Sequence, residues 1–309
     1  AIYSADRQNP NNNQYVRVGY LDADTENKLL KQIEDRYKNY ECSTRINASS
    51  LINRADNPIY KLVNGIKTEF DTNVFTIGEN LDLEENSDIK LTGNLMMIGD
   101  NQEMARNFIE TLLISVLCNN IVNHTSNKIF FIDLTEFTSM SKLNKDLIFK
   151  FSQSIGEPYL KYFNCSQAEE ASTVVYQAAA NASQISKSYF FIFGLSDAQK
   201  ELLGNLLSKE NPNAHIIVWC NTFECFSSCL APDYHKWMIH RLVFCSPESD
   251  VKQLTSRARD LTESNYALYR DISLPFTARE YAPYKNKNER WIEELIAILK
   301  NRSIDNTNF

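Results

Sequence analysis

The stretch Asn94–Cys118, NLMMIGDNQEMARNFIETLLISVLC, decides how the rest of the chain is read. Leu95 to Ile98 is a short unbroken apolar run, Gly99 interrupts it, and from Met104 onward apolar residues recur at helical spacing. This is a strand, a tight turn and a helix, the opening unit of a sheet of parallel strands. Four similar runs follow: KIFFID at Lys128 to Asp133, YFFIF at Tyr189 to Phe193, HIIVWC at His215 to Cys220 and RLVFC at Arg241 to Cys245. Near-continuous hydrophobicity over so few residues suits central parallel strands covered on both faces. Between and after them Met104–Asn119, Ala168–Ile185, Ala198–Ser208 and Pro247–Leu254 have helical patterns. Five strands with four helical segments predict a doubly wound α/β sheet.

The turn at Gly99 stands where a phosphate-binding loop belongs in such a sheet. That loop needs G-x-x-x-x-G-K-[ST]: backbone N–H groups cradle the phosphates, the lysine reaches the terminal ones and the hydroxyl holds Mg²⁺. With Gly99 as the first glycine, Met104, Ala105 and Arg106 occupy the places of the second glycine, the lysine and the Ser/Thr. The scaffold is present and the phosphate-binding side chains are not. Asp100 and Asn101 fit helix capping, and Asp100 would repel a phosphate. Arg106 could replace the lysine, since guanidinium binds phosphate well, but an arginine in a first helical turn is more often solvated.

Before this core, residues 1–90 read as an N-terminal strand and helix extension packing on it, and 91–309 as the core with an extended tail and a terminal helix. Gln14 to Leu21 alternates like a half-buried strand, Thr25 to Tyr40 places Leu29, Ile33 and Tyr37 on one helical face, and Phe75–Ile77 and Ile89–Leu91 are short strand candidates. The tail carries YALYRD, the extended PFTAREYAPY and an amphipathic helix over Glu289–Lys300. The opening AIYSADRQNPNNN has neither an initiator methionine nor a targeting pattern, which predicts a piece of a longer protein.

A chain of 309 residues with net charge −7 has room for one large domain and argues against a dedicated nucleic-acid surface. No apolar run reaches the roughly 18 residues of a membrane span, so a cytoplasmic location is expected. Seven cysteines, several in apolar runs, read as reduced structural thiols rather than a disulfide framework. His215, Cys220, Cys225, Cys229, His235 and His240 crowd one segment, but they lack knuckle spacing, and His215 and Cys220 fall on opposite faces of one strand, so no metal is expected. No nucleophile elbow occurs.

Four stretches, in order, resemble the FtsK/SpoIIIE-type family of P-loop ATPases, and more closely its degenerate copies in multi-ATPase chains. They are TGNLMMIGDNQEMARNFIETLLISVL, IFFIDLTEF, NPNAHIIVWCNTFECF, and IHRLVFCSPESDVKQL followed by NYALYRD and REYAPY. The resemblance implies a P-loop NTPase-like (RecA/FtsK-like) α/β fold: a parallel sheet flanked by helices, with an N-terminal strand-rich extension. It also implies a nucleotide site whose remnants are Gly99, Asp100, Asn101, Arg106, Asp133 and Asp197. In active members a strand like SYFFIFG would end in adjacent acidic residues; here Phe193 is followed by Gly194 and Leu195, and the nearest carboxylate is Asp197.

Losing both the cationic and the acidic half of the site predicts a non-catalytic ATPase-like module of a DNA-translocase or secretion-type motor, acting in docking or regulation. No catalytic residue and no cofactor is then expected, with ATP and Mg²⁺ bound only if the altered site retains affinity. Expected partners are other ATPase domains of the same or another chain, in a possible ring, and through the whole machine DNA or a secreted protein. Two rival readings stay open. One is an NTPase with an atypical site using Arg106, Asp133 and Asp197. The other is a DNA-binding module without hydrolysis, with Lys285, Lys287 and Arg290 as contacts, though Asp133 also reads as a turn cap in DLTE and the basic residues as solvated surface.

Overall fold

The computed structural model describes residues 2–4, 13–15, 52–53, 74–81, 88–122, 125–135, 139–155, 160–183, 186–195, 213–228, 237–275, 278–285 and 292–298. The chain divides into two compact units, Ala1–Ser43 and Thr44–Phe309. In the first, β1 (Ile2–Ser4) pairs antiparallel with β2 (Asn13–Tyr15).

The second unit is built on a nine-stranded sheet. Its parallel part comprises β7 (Leu95–Ile98), β8 (Lys128–Asp133), β9 (Leu160–Phe163), β10 (Ser188–Phe193), β11 (Ala214–Cys220) and β12 (His240–Phe244). These lie in the order β12-β7-β11-β10-β8-β9. Beyond β12 the sheet continues antiparallel through β13 (Ala267–Asp271) and β14 (Arg279–Ala282) to β5 (Glu79–Asn80). Alternate residues of each parallel strand serve two cores. Leu95, Met97, Ile129 and Phe131 face one layer, whereas Met96, Ile98, Phe130 and Ile132 face the other. That double duty is why these strands read as unbroken apolar runs.

The first layer contains α1 (Gln102–Val122), α2 (Ser139–Ile155) and helical residues 292–298. The second contains α3 (Ala168–Ala180), α4 (Phe223–Ser228) and α5 (Glu248–Thr255). The hairpin of β4 (Val74–Thr76) and β6 (Asp88–Lys90) adds Phe75, Ile77, Ile89 and Leu91 to the first layer, and Ser115 of α1 accepts the Thr76 N–H at 3.2 Å. Covered from both sides, α1 buries polar residues along its length, Glu110 and Ser115 among them.

All five predicted core strands are present. Two elements of the parallel core were not predicted, α2 and β9, which together form one more helix and parallel strand. SMSKLNKDLIFKFSQSI carries Leu143, Leu147, Ile148 and Phe151 at helical spacing, but polar residues outnumber the apolar ones, and LKYF is an edge strand with only its ends buried. The extended tail proves to be sheet: β13 and β14 extend it past β12, and residues 79–80 close that edge. The predicted strand Gln14–Leu21 is described only within Asn13–Tyr15, and the predicted helices Thr25–Tyr40 and Ala198–Ser208 lie outside the described residues. Among the described residues no helix is long and apolar enough to cross a membrane.

Candidate functional site

Open α/β sheets place ligands at the carboxyl ends of strands where connections diverge to either side. Here that point is the end of β7, between β11 and β12. The connection from β7 to α1 is three residues long, Gly99, Asp100 and Asn101. Positions that a phosphate-binding motif would keep in its loop, Gln102 and Glu103, are already helical.

Each loop residue is held by the protein itself. Gly99 donates its N–H to the Cys220 carbonyl at 3.2 Å and accepts the Trp219 indole N–H at 3.0 Å. A Cβ on Gly99 would sit 1.9 Å from the Phe244 carbonyl oxygen, so glycine is required because β12 packs against the turn. Asp100 donates its N–H to the carbonyl of Cys245, which adopts a positive φ of 43° at the end of β12. Asn101 caps α1: its side-chain oxygen accepts the Met104 N–H at 2.9 Å and its carbonyl accepts the Ala105 N–H at 3.0 Å. One of the helix-start donors that a phosphate would use, the Met104 N–H, is thus satisfied by the cap, and the Ala105 N–H makes the first bond of the helix itself.

Beneath the loop the space is filled by rings. Trp219 and Phe193 lie 4.5 Å apart between centroids, and Phe108 of α1 lies 5.8 Å from Phe244; all four are fully buried. Strand β10 ends in Phe193, Gly194 at φ 83° and buried Leu195, whose N–H donates to the Trp219 carbonyl. No carboxylate is presented at this strand end among the described residues, and Asp197 lies outside them.

Among the described residues, charge at the rim has one sign. The segments 99–103, 221–225 and 245–250, which follow β7, β11 and β12, carry Asp100, Glu103, Glu224, Glu248 and Asp250 and no lysine or arginine. The positive end of a helix dipole amounts to about half an elementary charge. Asp100 and Glu103 alone outweigh it. Cys245 also faces this rim; burial is the main cause pushing its thiol pKa up, Asp100 adds to the rise, and a hydrogen bond with Asn101 opposes it.

The remaining predicted residues do not converge on the loop. Arg106 pairs along the helix with buried Glu110 at 3.8 Å, and its side chain is 17% exposed. Asp133 is fully buried and closes its own turn, accepting the Thr135 N–H at 3.0 Å, the Thr135 hydroxyl at 2.5 Å and the Asn144 amide at 2.9 Å. Lys285 lies in β15 (Tyr284–Lys285), which pairs with β3 (Ile52–Asn53), while Lys287 and Arg290 fall outside the described residues. No group of three His, Cys, Asp or Glu side chains able to hold a metal occurs among the described residues. Cys220 and Cys225 instead direct their thiols to the Leu195 carbonyl, at 3.3 and 3.6 Å.

The rings under the loop were missed by sequence reasoning. HIIVWC and SYFFIF were read as core strands, and nothing in a single sequence marks which aromatic ends beneath Gly99.

No protein-family model and no curated protein sequence matches the chain. Solved structures do. The chain is similar to EssC (ATPases 2 and 3) from Geobacillus thermodenitrificans, at TM-score 0.51 and 12% identity over 79% of this chain and 51% of that one. Similarity to the cytoplasmic domain of the Thermomonospora curvata type VII secretion ATPase EccC has TM-score 0.55 and 13% identity, over 77% and 28%. The pCW3 conjugation coupling protein TcpA, solved as a monomer with ATPgS, matches at TM-score 0.51 and 9% identity over 90% and 87%. The chain thus spans about half of the EssC structure and about a quarter of the EccC one. Strand order, strand–turn–helix entry and these likenesses agree: the chain has the P-loop α/β fold of FtsK/SpoIIIE-type ATPase domains.

Proposed function

We propose that this chain is a non-catalytic ATPase-like module of a larger multi-ATPase motor, working by docking to or regulating a neighbouring ATPase domain. The observation that carries the reading is the three-residue turn Gly99–Asn101, capped by its own asparagine, filled beneath by Trp219 and Phe193, and rimmed among the described residues by carboxylates alone. Triphosphate is highly anionic, and the usual sources of compensation at such a site are a lysine, backbone N–H groups and a carboxylate-held Mg²⁺. The lysine position is Ala105, fully buried, and Arg106 is turned to Glu110.

What the fold retains is a rigid switch-point edge. A neighbouring domain seated on that edge could have its own equilibrium between states biased by differential contact, which is the physical content of regulation by a domain that performs no chemistry. Similar structures support a setting of this kind. EssC and EccC are solved with ATPases 2 and 3 together, and one EccC structure carries a signal sequence peptide. Whether this chain's motor moves DNA or protein is a separate matter, since fold does not fix cargo.

Phosphate release from Mg²⁺-ATP tests the absence of catalysis. The expected result is no turnover above the buffer blank, with or without added DNA. Turnover that disappears in Arg106→Ala, Asp133→Asn or Asp197→Asn would establish the rival reading of an NTPase with an atypical site.

A further inference from the structure

Two thiols converge at the carboxyl end of the sheet. Cys220 is the last residue of β11, and Cys225 lies on α4, just after the turn 221–222. Cys220 directs its S–H to the Leu195 carbonyl oxygen at 3.3 Å, and Cys225 directs its own to the same oxygen at 3.6 Å. Sharing one acceptor sets an upper bound on their separation: the sulfurs lie no further apart than those two bonds laid end to end, and nearer when each uses a different lone pair of the oxygen. Local structure produces the approach. The Gly99 N–H holds the Cys220 carbonyl at 3.2 Å, the Thr222 hydroxyl accepts the Cys225 N–H at 3.2 Å and the Thr222 carbonyl accepts the Phe226 N–H at 3.2 Å, so the chain folds back over a single turn.

The two thiols differ in access. Cys220 is fully buried, whereas Cys225 is only partly buried, with Thr222 and Glu224 exposed beside it. A buried thiol is closed to solutes and a partly exposed one is open to them. The acceptor they share is itself fixed, because the Leu195 N–H donates to the Trp219 carbonyl at 3.1 Å. An S–H group is a weak donor, so the bonds to Leu195 orient the sulfurs without locking them. A disulfide brings the sulfurs to about 2.05 Å. From the reduced positions this takes rotation about the Cα–Cβ bond of Cys225 and a displacement of α4, which is only 6 residues long. Cys245, by contrast, turns its thiol to the Ser264 carbonyl at 3.5 Å, and Cys118 is buried on α1.

We propose that Cys220 and Cys225 are a redox pair, which a low-molecular-weight disulfide converts reversibly into an intramolecular disulfide. The Cys225 sulfur, as thiolate, attacks one sulfur of the small disulfide; a mixed disulfide forms, and the small thiolate released takes up the proton that Cys225 lost. The Cys220 sulfur then attacks Cys225 and displaces the second small thiol, which takes up the proton of Cys220. In balance the two protein thiols lose two electrons and two protons, one protein S–S bond forms, and the small disulfide is reduced to two thiols. The second step is intramolecular, so buried Cys220 needs no access to solvent. The new bond takes both S–H donors from the Leu195 carbonyl and ties α4 to the end of β11. Within a reducing compartment such a bond is transient and redox-sensing rather than structural. The chemistry stands whether or not the switch-point edge docks a neighbouring domain.

The test is incubation of the full chain, reduced and then freed of reductant, with glutathione disulfide, followed by acid quenching, alkylation and peptide mass spectrometry. Most of Cys225 should be recovered bonded to Cys220, in a peptide lighter by two hydrogens whose mass dithiothreitol restores. Cys225→Ser should leave Cys220 unmodified, Cys220→Ala should stop at the glutathione adduct on Cys225, and Cys229→Ser should still form the bond. Should Cys220→Ala fail to fold, the native chain with Cys225→Ser and Cys229→Ser still decides the matter. The proposal is overturned by a glutathione adduct on Cys225 with no bond to Cys220, by a bond from Cys225 to Cys229, by no modification at all, or by a folded variant that departs from these expectations.

Discussion

Two buried histidines make stability fall steeply with acid. His215 on β11 is 2% exposed, stacks on Tyr189 at 5.1 Å, and has its pKa lowered to about 4, mainly by burial with a further contribution from Lys187. His240 on β12 is fully buried and also lowered to about 4 by burial, against the opposing pull of Asp271 at 3.6 Å. Its geometry agrees: Nε2 accepts the Thr92 N–H at 3.1 Å, so the proton sits on Nδ1, 2.8 Å from the Tyr269 hydroxyl, and the ring is neutral. The unfolded chain, at the usual pKa of about 6.5, binds more protons than the native one between pH 6.5 and 4. Stability is therefore complete above that window and is lost as pH falls through it. Between pH 7.5 and 5 each histidine contributes a loss of about 2 kcal/mol, about 4 for the pair, a large part of a typical total stability. Urea titrations followed by tryptophan fluorescence at pH 7.5, 6.5, 5.5 and 5 should show the midpoint falling, and the double variant His215→Gln/His240→Gln should flatten that fall. An unchanged midpoint in the native chain, or an equal slope in the double variant, refutes the reasoning.

Other perturbations probe the turn and its support. Gly99→Ala forces a Cβ against the Phe244 carbonyl and should cost about 3 kcal/mol, the upper end for overpacking, seen as a lowered urea midpoint. Trp219→Phe keeps the ring volume roughly but leaves the Gly99 carbonyl without its indole donor, a loss of about 1–3 kcal/mol by the same assay. Asp133→Ala strips three donors of their acceptor and should destabilise by about 4 kcal/mol, whereas a purely catalytic Asp133 would leave the midpoint unmoved.

The chain announces its sheet more clearly than its site. KIFFID, SYFFIF and HIIVWC are legible because a strand buried on both faces leaves no polar alternation, and Gly99 is legible as the break before a long helix. Strand order, and with it the pairing of β13, β14 and residues 79–80 into one edge, is set by contacts far apart in sequence that no local period records. Asp133 looked ambiguous between a strand-end functional group and a turn cap; the Asn144 amide, eleven residues on in an unpredicted helix, closes its second oxygen. Likewise Arg106 is a phosphate candidate by spacing, but burial of Glu110 one turn along gives it another partner. The partner of Arg257 and Arg259, Glu280 on β14, lies more than twenty residues on and meets them only through the fold.

We propose that the turn after β7 does not hold nucleotide. Thermal-shift titration of the chain with Mg²⁺-ATP and Mg²⁺-ADP, beside calorimetry with the same ligands, measures this most directly, because a ligand of the native state raises the melting temperature by mass action. No shift and no heat at millimolar nucleotide are predicted. A saturable shift, abolished by Arg106→Ala or by Gly99→Ala protein that remains folded, would contradict this reading.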